Sequence, residues 1–383
     1  MKAPNTSKLF ERRTNKKSGA PYYVLKEKKC IYQQGFYFVN DSMTRDGRYL
    51  WFYAAPNPVY DAFLRNMGYV DFLTDEIVIC YDVVIDDTSP YVDPESGDVY
   101  FTKGASVYKR EPGRDKLAKK LCTVPIGGFI RTISSHLTPL SDGKRFLLDI
   151  QRHNFGNVQG VINVETGEFV EWSHCDHQTA HAQINPKNDD IGLFGYEGQT
   201  DLSNGKKIMG VPLTEDGIYQ RLWTITSDGT RTMYPPRDNY ATHEWWSADG
   251  KKIYYVNDLG IQRLDLISGE HICVHKCYPW HAHTTEDEKY YVFDEKVLDR
   301  FGSKWFRGCP AGVKFYNRET DKEIDIVTEM PENEFTPENQ CKYHIDPHPR
   351  FVSGDKYIVF TTTELGSVDL AVAVVDELKA LTR

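Results

Sequence analysis

One short pattern recurs seven times along this 383-residue chain: a tight turn rich in Asp and Gly, followed at once by an apolar strand. Asp-Gly turns tolerate positive φ and are typical of hairpins that join antiparallel strands. The copies are separated by roughly 40 to 65 residues, which suits propeller blades of about four strands each. A series of β-sandwiches with coincidental turns is the alternative, but seven copies in order favour the propeller. The copies are TRDGRYLWF at Thr44, DPESGDVYF at Asp93, LSDGKRFLL at Leu140, NPKNDDIGLF at Asn185, SADGKKIYYV at Ser247, TEDEKYYVF at Thr285 and VSGDKYIVF at Val352.

The repeat predicts an all-β fold, a seven-bladed β-propeller that forms a single domain over residues 1–383. Aromatic residues make up 13% of the chain, which agrees with a high strand content. No low-complexity linker divides the chain, and we expect the N- and C-terminal strands to share a closing blade. Residues 1–29 are then an N-terminal extension that contributes to this closure. Two segments, 199–220 and 299–311, are longer than a blade needs and are expected to form loops on one face.

Charge and targeting signals exclude several classes of function. The net charge of −9 argues against a nucleic-acid partner, because such binders work through a positive field. The chain has no apolar run of about 18 residues, so we expect no membrane span. Residues 1–20 lack the apolar stretch of a signal peptide. The eight cysteines form no CxxC pairs, so we expect free thiols and a cytoplasmic location. The GxGxxG, P-loop, GxSxG and HExxH motifs are absent, which removes support for nucleotide, acyl-transfer and zincin sites.

Several histidines lie just before the repeated turns, where the innermost strand of a blade faces the central channel. Histidines from different blades can therefore meet there, although they are distant in sequence. Imidazole together with amide or carboxylate oxygen is a reasonable ligand set for a divalent metal such as Mn²⁺. The alternative is that these histidines only form hydrogen bonds between blades. The candidate ligands are His281, Gln340, His344, Asp346 and His348.

Two further residues near these turns are candidate catalytic residues. His243, in ATHEWWSADG, is a candidate general base, because a neutral imidazole accepts protons near physiological pH. Its alternative role is a structural partner of Glu244. Arg221, at the start of RLWTITSDG, is a candidate source of positive charge at the channel mouth. A surface salt bridge is its commoner alternative.

Four stretches resemble the oligogalacturonate lyase family, seven-bladed propellers that cleave short pectic oligomers in the cytoplasm. The resemblance extends from about Cys30 to the C-terminus, and the four stretches are HAQINPKNDDIGLFGYEG, RLWTITSDG, THEWWSADGKKIYYV and DPHPRF. In the first stretch, the family's His, Pro and His-Glu-Gly correspond to His181, Pro186 and Tyr196-Glu197-Gly198. The resemblance implies that His181 and Glu197 bind substrate.

The resemblance also implies the catalytic and metal-binding roles. His243 falls on the family's proposed base, Arg221 on the arginine that supports the substrate charge, and His281 on a metal ligand. The family's last ligand loop has Gln, two residues, then His-Pro-His-Pro, whereas this chain has Gln340 further upstream and Asp346-Pro347-His348-Pro349. Either His344 or Asp346 then replaces the missing histidine. The implied metal ligands are His281, Gln340, His344 and His348.

These roles imply a metal-dependent β-elimination on short uronate oligosaccharides, galacturonate above all, as part of pectin degradation. The partner is then a small anionic oligosaccharide, and the product carries a 4,5-unsaturated uronate end. Removal of the C5 proton builds negative charge, which a divalent cation and Arg221 would stabilise. A non-catalytic binding propeller is one alternative. A hydrolase or isomerase acting on a related sugar is another; hydrolysis would use two carboxylates, such as Glu197 and Glu244.

Overall fold

The computed structural model describes residues 1–55, 65–85, 88–128, 130–152, 156–175, 177–201, 206–209, 214–237, 240–296, 311–331 and 346–383. Within these residues the strands form seven antiparallel sheets, arranged as a seven-bladed β-propeller. Each sheet contains one copy of the repeated turn, so the fold predicted from that repeat is confirmed.

The first half of the chain forms two N-terminal strands and blades 1 to 3. The N-terminal strands are β1 (Phe10–Thr14) and β2 (Pro21–Leu25). Blade 1 contains β3 (Tyr32–Gln34), β4 (Tyr49–Ala55), β5 (Arg65–Asp71) and β6 (Glu76–Ile85). Blade 2 contains β7 (Tyr91–Val92), β8 (Val99–Lys103), β9 (Ser106–Arg110) and β10 (Lys119–Thr123). Blade 3 contains β11 (Ile130–Thr132), β12 (Thr138–Pro139), β13 (Arg145–Arg152), β14 (Asn157–Asn163) and β15 (Phe169–Cys175).

The second half forms blades 4 to 6 and the closing blade. Blade 4 contains β16 (His177–Asn185), β17 (Asn188–Asp201), β18 (Lys206–Met209), β19 (Leu222–Thr226) and β20 (Arg231–Tyr234). Blade 5 contains β21 (Thr242–Trp246), β22 (Lys252–Asn257), β23 (Gly260–Asp265) and β24 (His271–His275). Blade 6 contains β25 (Pro279–Thr284), β26 (Tyr290–Lys296), β27 (Ala311–Asn317) and β28 (Lys322–Val327). The closing blade contains β29 (Arg350–Val352), β30 (Tyr357–Thr362) and β31 (Asp369–Val374), and helix α1 (Val375–Leu381) follows it.

The closing blade joins the two ends of the described chain. Its strand order is β1-β2-β31-β30-β29, with Val24 opposite Ala371 and Tyr23 opposite Val372. Val24 and Ala371 are fully buried in an apolar cluster that also contains Val313 of blade 6. The N-terminal strands therefore belong to the same sheet as the C-terminal strands.

Apolar side chains between neighbouring blades form the core. Trp51 of blade 1 is fully buried, packs on Tyr69, and donates an indole hydrogen bond to the Gly97 carbonyl of blade 2 at 2.9 Å. A fully buried apolar side chain contributes about 1.5–3 kcal/mol, so these contacts hold the blades together. The six cysteines of the described residues are all free. None of the helical structure in the described chain reaches the length and hydrophobicity of a transmembrane helix.

Two long segments were expected to be loops on one face. The first, 199–220, is described only in part, and β18 lies within it, paired with β17. The second, 299–311, lies almost wholly outside the described residues.

Candidate active site

Five blades place a histidine at the same point of the inner strand. In each blade the inner strand pairs across the turn with the following strand, and the histidine lies three residues before a residue of that pairing. The histidine and its paired residue are His136 and Pro139, His181 and Ile184, His243 and Trp246, His281 and Thr284, and His348 and Phe351. The equivalent position is Asn40 in blade 1 and Ser89 in blade 2.

The backbone at this point is irregular in a way that favours a site. The strand register shifts around His181, His243 and His281, so these residues stand outside the regular ladder. His181, His243 and His348 have φ values of 59°, 51° and 46°. A positive φ is uncommon for a residue with a side chain, and such strain tends to cluster where a side chain must be aimed.

Tyr37, from the segment after β3, lies at the centre of this circle of five histidines. Its ring stacks on His136 with centroids 4.8 Å apart and planes at 17°, and it lies 4.7 Å from the His348 ring. It also contacts the rings of the three histidines between them, at 5.5 to 6.4 Å. Tyr37 is partly exposed, whereas Phe36 and Phe38 on either side are buried. The aromatic ring therefore forms part of the floor of the site.

A candidate metal centre lies on one side of this floor. His281, Asp346 and His348 are buried, and each offers a ligand atom within 4.8 Å of the others. The carboxylate of Asp294 lies 2.8 Å from Nδ1 of His281 and accepts the backbone N–H of the same residue at 2.6 Å. A carboxylate that holds one ring nitrogen orients the other as a ligand, and this pairing is typical of metal-binding histidines. The sequence-predicted ligands Gln340 and His344 lie outside the described residues.

A charged cluster lies on the other side. Arg221, only 4% exposed, donates from Nε and Nη2 to the two carboxylate oxygens of Glu244 at 3.0 and 3.3 Å, and from Nη1 to Glu197 at 2.5 Å. Nδ1 of His181 lies 3.1 Å from Glu244, and its Nε2 lies 3.9 Å from Glu197. The sequence-predicted residues Arg221, His181 and Glu197 are thus brought together, with Glu244 at their centre.

Electrostatics keep both carboxylates of this cluster ionised. Burial alone would raise the pKa of Glu244, but Arg221 and His181 outweigh it and lower that pKa to about 2. Burial also opposes ionisation of Glu197, and the same two neighbours lower its pKa. Neither carboxylate is then a proton donor near neutral pH.

The cluster requires a glycine beneath it. A Cβ atom at Gly195 of β17 would lie 2.4 Å from a carboxylate oxygen of Glu244 and 3.0 Å from Nη2 of Arg221. These distances are shorter than a packed side chain permits. Gly195 therefore allows the buried ion pair to lie against the sheet.

His243 lies between the metal centre and the charged cluster. Its ring centroid is 4.2 Å from that of His281 and 5.8 Å from that of His181. Nδ1 of His243 is buried and has no hydrogen-bond partner within the described chain. Burial, followed by the neighbouring His281 and His181, holds the pKa of His243 well below its usual value. The ring is then neutral, which is the form that accepts a proton.

Sequence reasoning missed His136, Asp294 and Tyr37. His136 carried a signal, because Asp142 of its turn follows six residues later, as Asp249 follows His243. Asp294 and Tyr37 carried none, because their roles depend on which neighbouring strand or blade they contact. His136 is 4% exposed, and neither ring nitrogen has a hydrogen-bond partner in the described part of the protein.

A separate cavity of about 260 Å³ lies at the turn end of the channel. His283, two residues after His281 on β25, lines it together with Asp41, Arg350 and Asp355. Alternate residues of a strand point in the same direction, but the register shift before Ala282 separates these two histidines. His283 therefore lies in a different environment from the five histidines around Tyr37.

Comparison by sequence and comparison by fold both find similarity to oligogalacturonate lyases. No protein-family model matches the chain. The oligogalacturonate lyase of Dickeya dadantii is 25% identical over 280 residues, and the oligogalacturonide lyase of Pectobacterium atrosepticum is 26% identical over 279 residues. Each alignment covers 68% of this chain and 66% of the relative, slightly less than two thirds of its length.

A solved structure of an oligogalacturonate lyase in complex with manganese superposes with a TM-score of 0.73 at 18% identity. The match covers 96% of both chains. The resemblance found in the sequence motifs is confirmed as a distant relationship, and the seven-bladed fold is shared.

Proposed function

We propose that this chain, a distant relative of the oligogalacturonate lyases, is a metal-dependent lyase that cleaves short uronate oligosaccharides by β-elimination. The observation that carries the proposal is the position of His243. Its ring lies 4.2 Å from His281, a member of the candidate metal centre, and 5.8 Å from His181 of the charged cluster. A proton acceptor, a candidate cation site and a buried arginine therefore adjoin one channel.

The donor set fits a hard divalent cation such as Mn²⁺. Two imidazoles and a carboxylate are borderline and hard ligands, and Asp294 already orients one of the imidazoles. His281, Asp346 and His348 would hold the ion, and Gln340 and His344 remain predicted additional ligands. When bound, the cation would supply a positive charge that makes the substrate carboxylate a better electron sink.

The protein residues would then take separate roles in the elimination. His243 takes the C5 proton of the uronate, which lies α to a carboxylate. Arg221 contributes positive charge beside that carboxylate, and His181 and Glu197 line the substrate position. Because Arg221 already donates to Glu244 and Glu197, a substrate carboxylate reaches it by exchange with Glu197, whose side chain is 33% exposed.

Hydrolysis is the less favoured reaction on the same substrate class. A hydrolase needs one carboxylic acid that donates a proton and one carboxylate. The pKa of Glu244 is lowered to about 2 and its side chain is fully buried, while Arg221 and His181 lower the pKa of Glu197. Neither carboxyl group has the raised pKa of a catalytic acid, which supports elimination.

The test is the ultraviolet absorbance of the unsaturated uronate. Digalacturonate and trigalacturonate are incubated with the chelated protein, with and without added Mn²⁺, and metal content is measured in parallel. We expect a rise in absorbance that requires the metal. Bound metal without a rise would point to another reaction, and no bound metal would favour a binding propeller.

Two histidines of one strand provide a matched control. His281→Ala removes a candidate ligand, whereas His283→Ala removes a histidine of the cavity at the turn end. We expect the first variant to lose metal and activity and the second to keep both. Loss of metal in both variants would show that unfolding, rather than ligand removal, explains the result.

A further inference from the structure

We propose that Tyr37 is the general acid that protonates the leaving sugar oxygen. The inference rests on the proposed function and completes it, since that function so far has a proton acceptor but no proton donor. As the C4–O bond breaks, the leaving oxygen becomes a strongly basic alkoxide, and a positioned acid accelerates such a step by about 10²–10⁴-fold.

The described residues of the site offer few donors for this proton. Glu244 and Glu197 are ionised through Arg221, so they have no proton to give. His243 is assigned to the C5 proton and cannot supply the second one in the same step. Tyr37 carries a hydroxyl, and its ring contacts the rings of all five histidines.

The geometry places Tyr37 where the second proton is needed. C5 and C4 of a uronate are bonded neighbours, so an acid and a base for this elimination must lie close together. The Tyr37 and His243 ring centroids are 6.4 Å apart, which lets the two groups reach adjacent atoms of one sugar. The ring of His136 stacks on Tyr37 and supports it.

The hydroxyl itself is directed toward the charged cluster. Tyr37 Oη lies 3.4 Å from Nε2 of His181, whose Nδ1 lies 3.1 Å from the ionised Glu244. Nδ1 of His181 also lies 3.3 Å from Nη2 of Arg221, and we assign its proton to Glu244 because that contact is the shorter one. Oη is thus tethered beside Arg221 and Glu244, at the edge of the channel that the substrate carboxylate would occupy.

The step balances in atoms and electrons. His243 removes the C5 proton, the C4–C5 double bond forms, and the C4–O electron pair leaves with the oxygen. Tyr37 transfers its hydroxyl proton to that oxygen and becomes a phenolate. After product release, His243 returns its proton to water and Tyr37 takes one from water, so no net proton is consumed.

The experiment compares two leaving groups in wild type and in Tyr37→Phe. Digalacturonate has a leaving alcohol that needs a proton, whereas a galacturonide with 2,4-dinitrophenolate at C4 has a leaving group that needs none. We expect Tyr37→Phe to lose about 10²–10⁴-fold in kcat on digalacturonate and less than about threefold on the dinitrophenyl compound. Mn²⁺ content and melting temperature are measured for each variant.

Tyr81→Phe is the matched control, because Tyr81 lies on β6 and is 70% exposed. It should leave both rates unchanged. An equal loss of Tyr37→Phe on both substrates would show that Tyr37 only positions the site, and no loss on digalacturonate would remove its role altogether; either result overturns the inference. A wild type that is inactive on both compounds overturns the proposed function, and the inference with it.

Discussion

Arg221 is the residue on which the charged half of the site depends. A guanidinium that is 4% exposed is stable only if its charge is compensated, and Glu244 and Glu197 provide the compensation. Removal of Glu244 would take two hydrogen bonds from the buried guanidinium, and removal of Glu197 would take one. The same cluster fixes His181, so a local change there should affect both folding and activity.

We predict that Gly195→Ala separates the buried pair without removing either charge. The new methyl group would overlap Glu244 and Arg221, and overpacking of this kind costs about 1–3 kcal/mol. Activity should fall more than tenfold, because His181 loses its anchor. Urea unfolding and lyase assays measure the two effects.

Gly127→Ala is the control for that substitution, since no atom lies within 4 Å of the added methyl group and its φ is not positive. It should leave both quantities within error of wild type. A Gly195→Ala protein as stable and active as wild type would show that the pair shifts at no cost.

A second prediction at this scale concerns the orientation of His281. Asp294→Asn replaces the carboxylate that holds Nδ1 and should weaken Mn²⁺ binding by about 10–100-fold, as loss of such partners does elsewhere. Titration calorimetry of the metal-free protein measures the affinity. Glu295→Gln, at the adjacent residue, is the control, and equal affinities for all three proteins would contradict the prediction.

At the scale of elements, each inner strand combines two local signals. The Asp/Gly turn is fixed by chemistry within about four residues, so the sequence is sufficient to locate all seven blades. The histidine before the turn is equally local, and the same spacing identifies His136. Tyr37 and Asp294 are different. The segment that carries Tyr37 is held by Asn40, whose side-chain amide donates to the carbonyls of Ser89, Pro90 and Leu137 in the next two blades. That packing joins residues distant in sequence, so no local sequence pattern predicts it.

The strand pair that closes the ring yields a prediction of its own. Val24 of β2 is fully buried opposite Ala371. Val24→Ala should lower the free energy of unfolding by about 1–3 kcal/mol, from lost burial and the cavity left behind. Val170→Ala, at a valine that is 51% exposed, should cost less than about 0.5 kcal/mol. Denaturant unfolding of both variants decides, and equal losses would mean that closure does not depend on this contact.

At the scale of the whole molecule, stability should depend on pH through a buried carboxyl group. Asp149 of β13 is fully buried and accepts two hydrogen bonds from Ser135, at 2.7 Å from the backbone N–H and 2.6 Å from Oγ. Burial nevertheless raises its pKa to about 7. The folded state thus holds this proton more tightly than the unfolded state does. Its contribution is complete below the unfolded pKa and is lost as pH rises through about 7.

We therefore predict that the wild type loses about 2–3 kcal/mol from this group between pH 5 and pH 8. Asp149→Asn keeps both contacts, because the Ser135 hydroxyl can rotate to accept from the amide, and it should flatten the dependence. Urea unfolding at several pH values measures the slope. Asp376→Asn, at a side chain that is 93% exposed, should keep the wild-type slope; a parallel slope for the Asp149 variant would contradict the assignment.

The pairing of β2 with β31 also has a consequence for synthesis of the protein. Val24 pairs with Ala371, which lies 347 positions further along the chain. Blades 1 to 6 can form in order as the ribosome extends the polypeptide, but the ring stays open until residues 369–374 have been made. His348 joins the histidines of the other blades only at that stage, so the candidate metal centre is assembled among the last parts of the molecule.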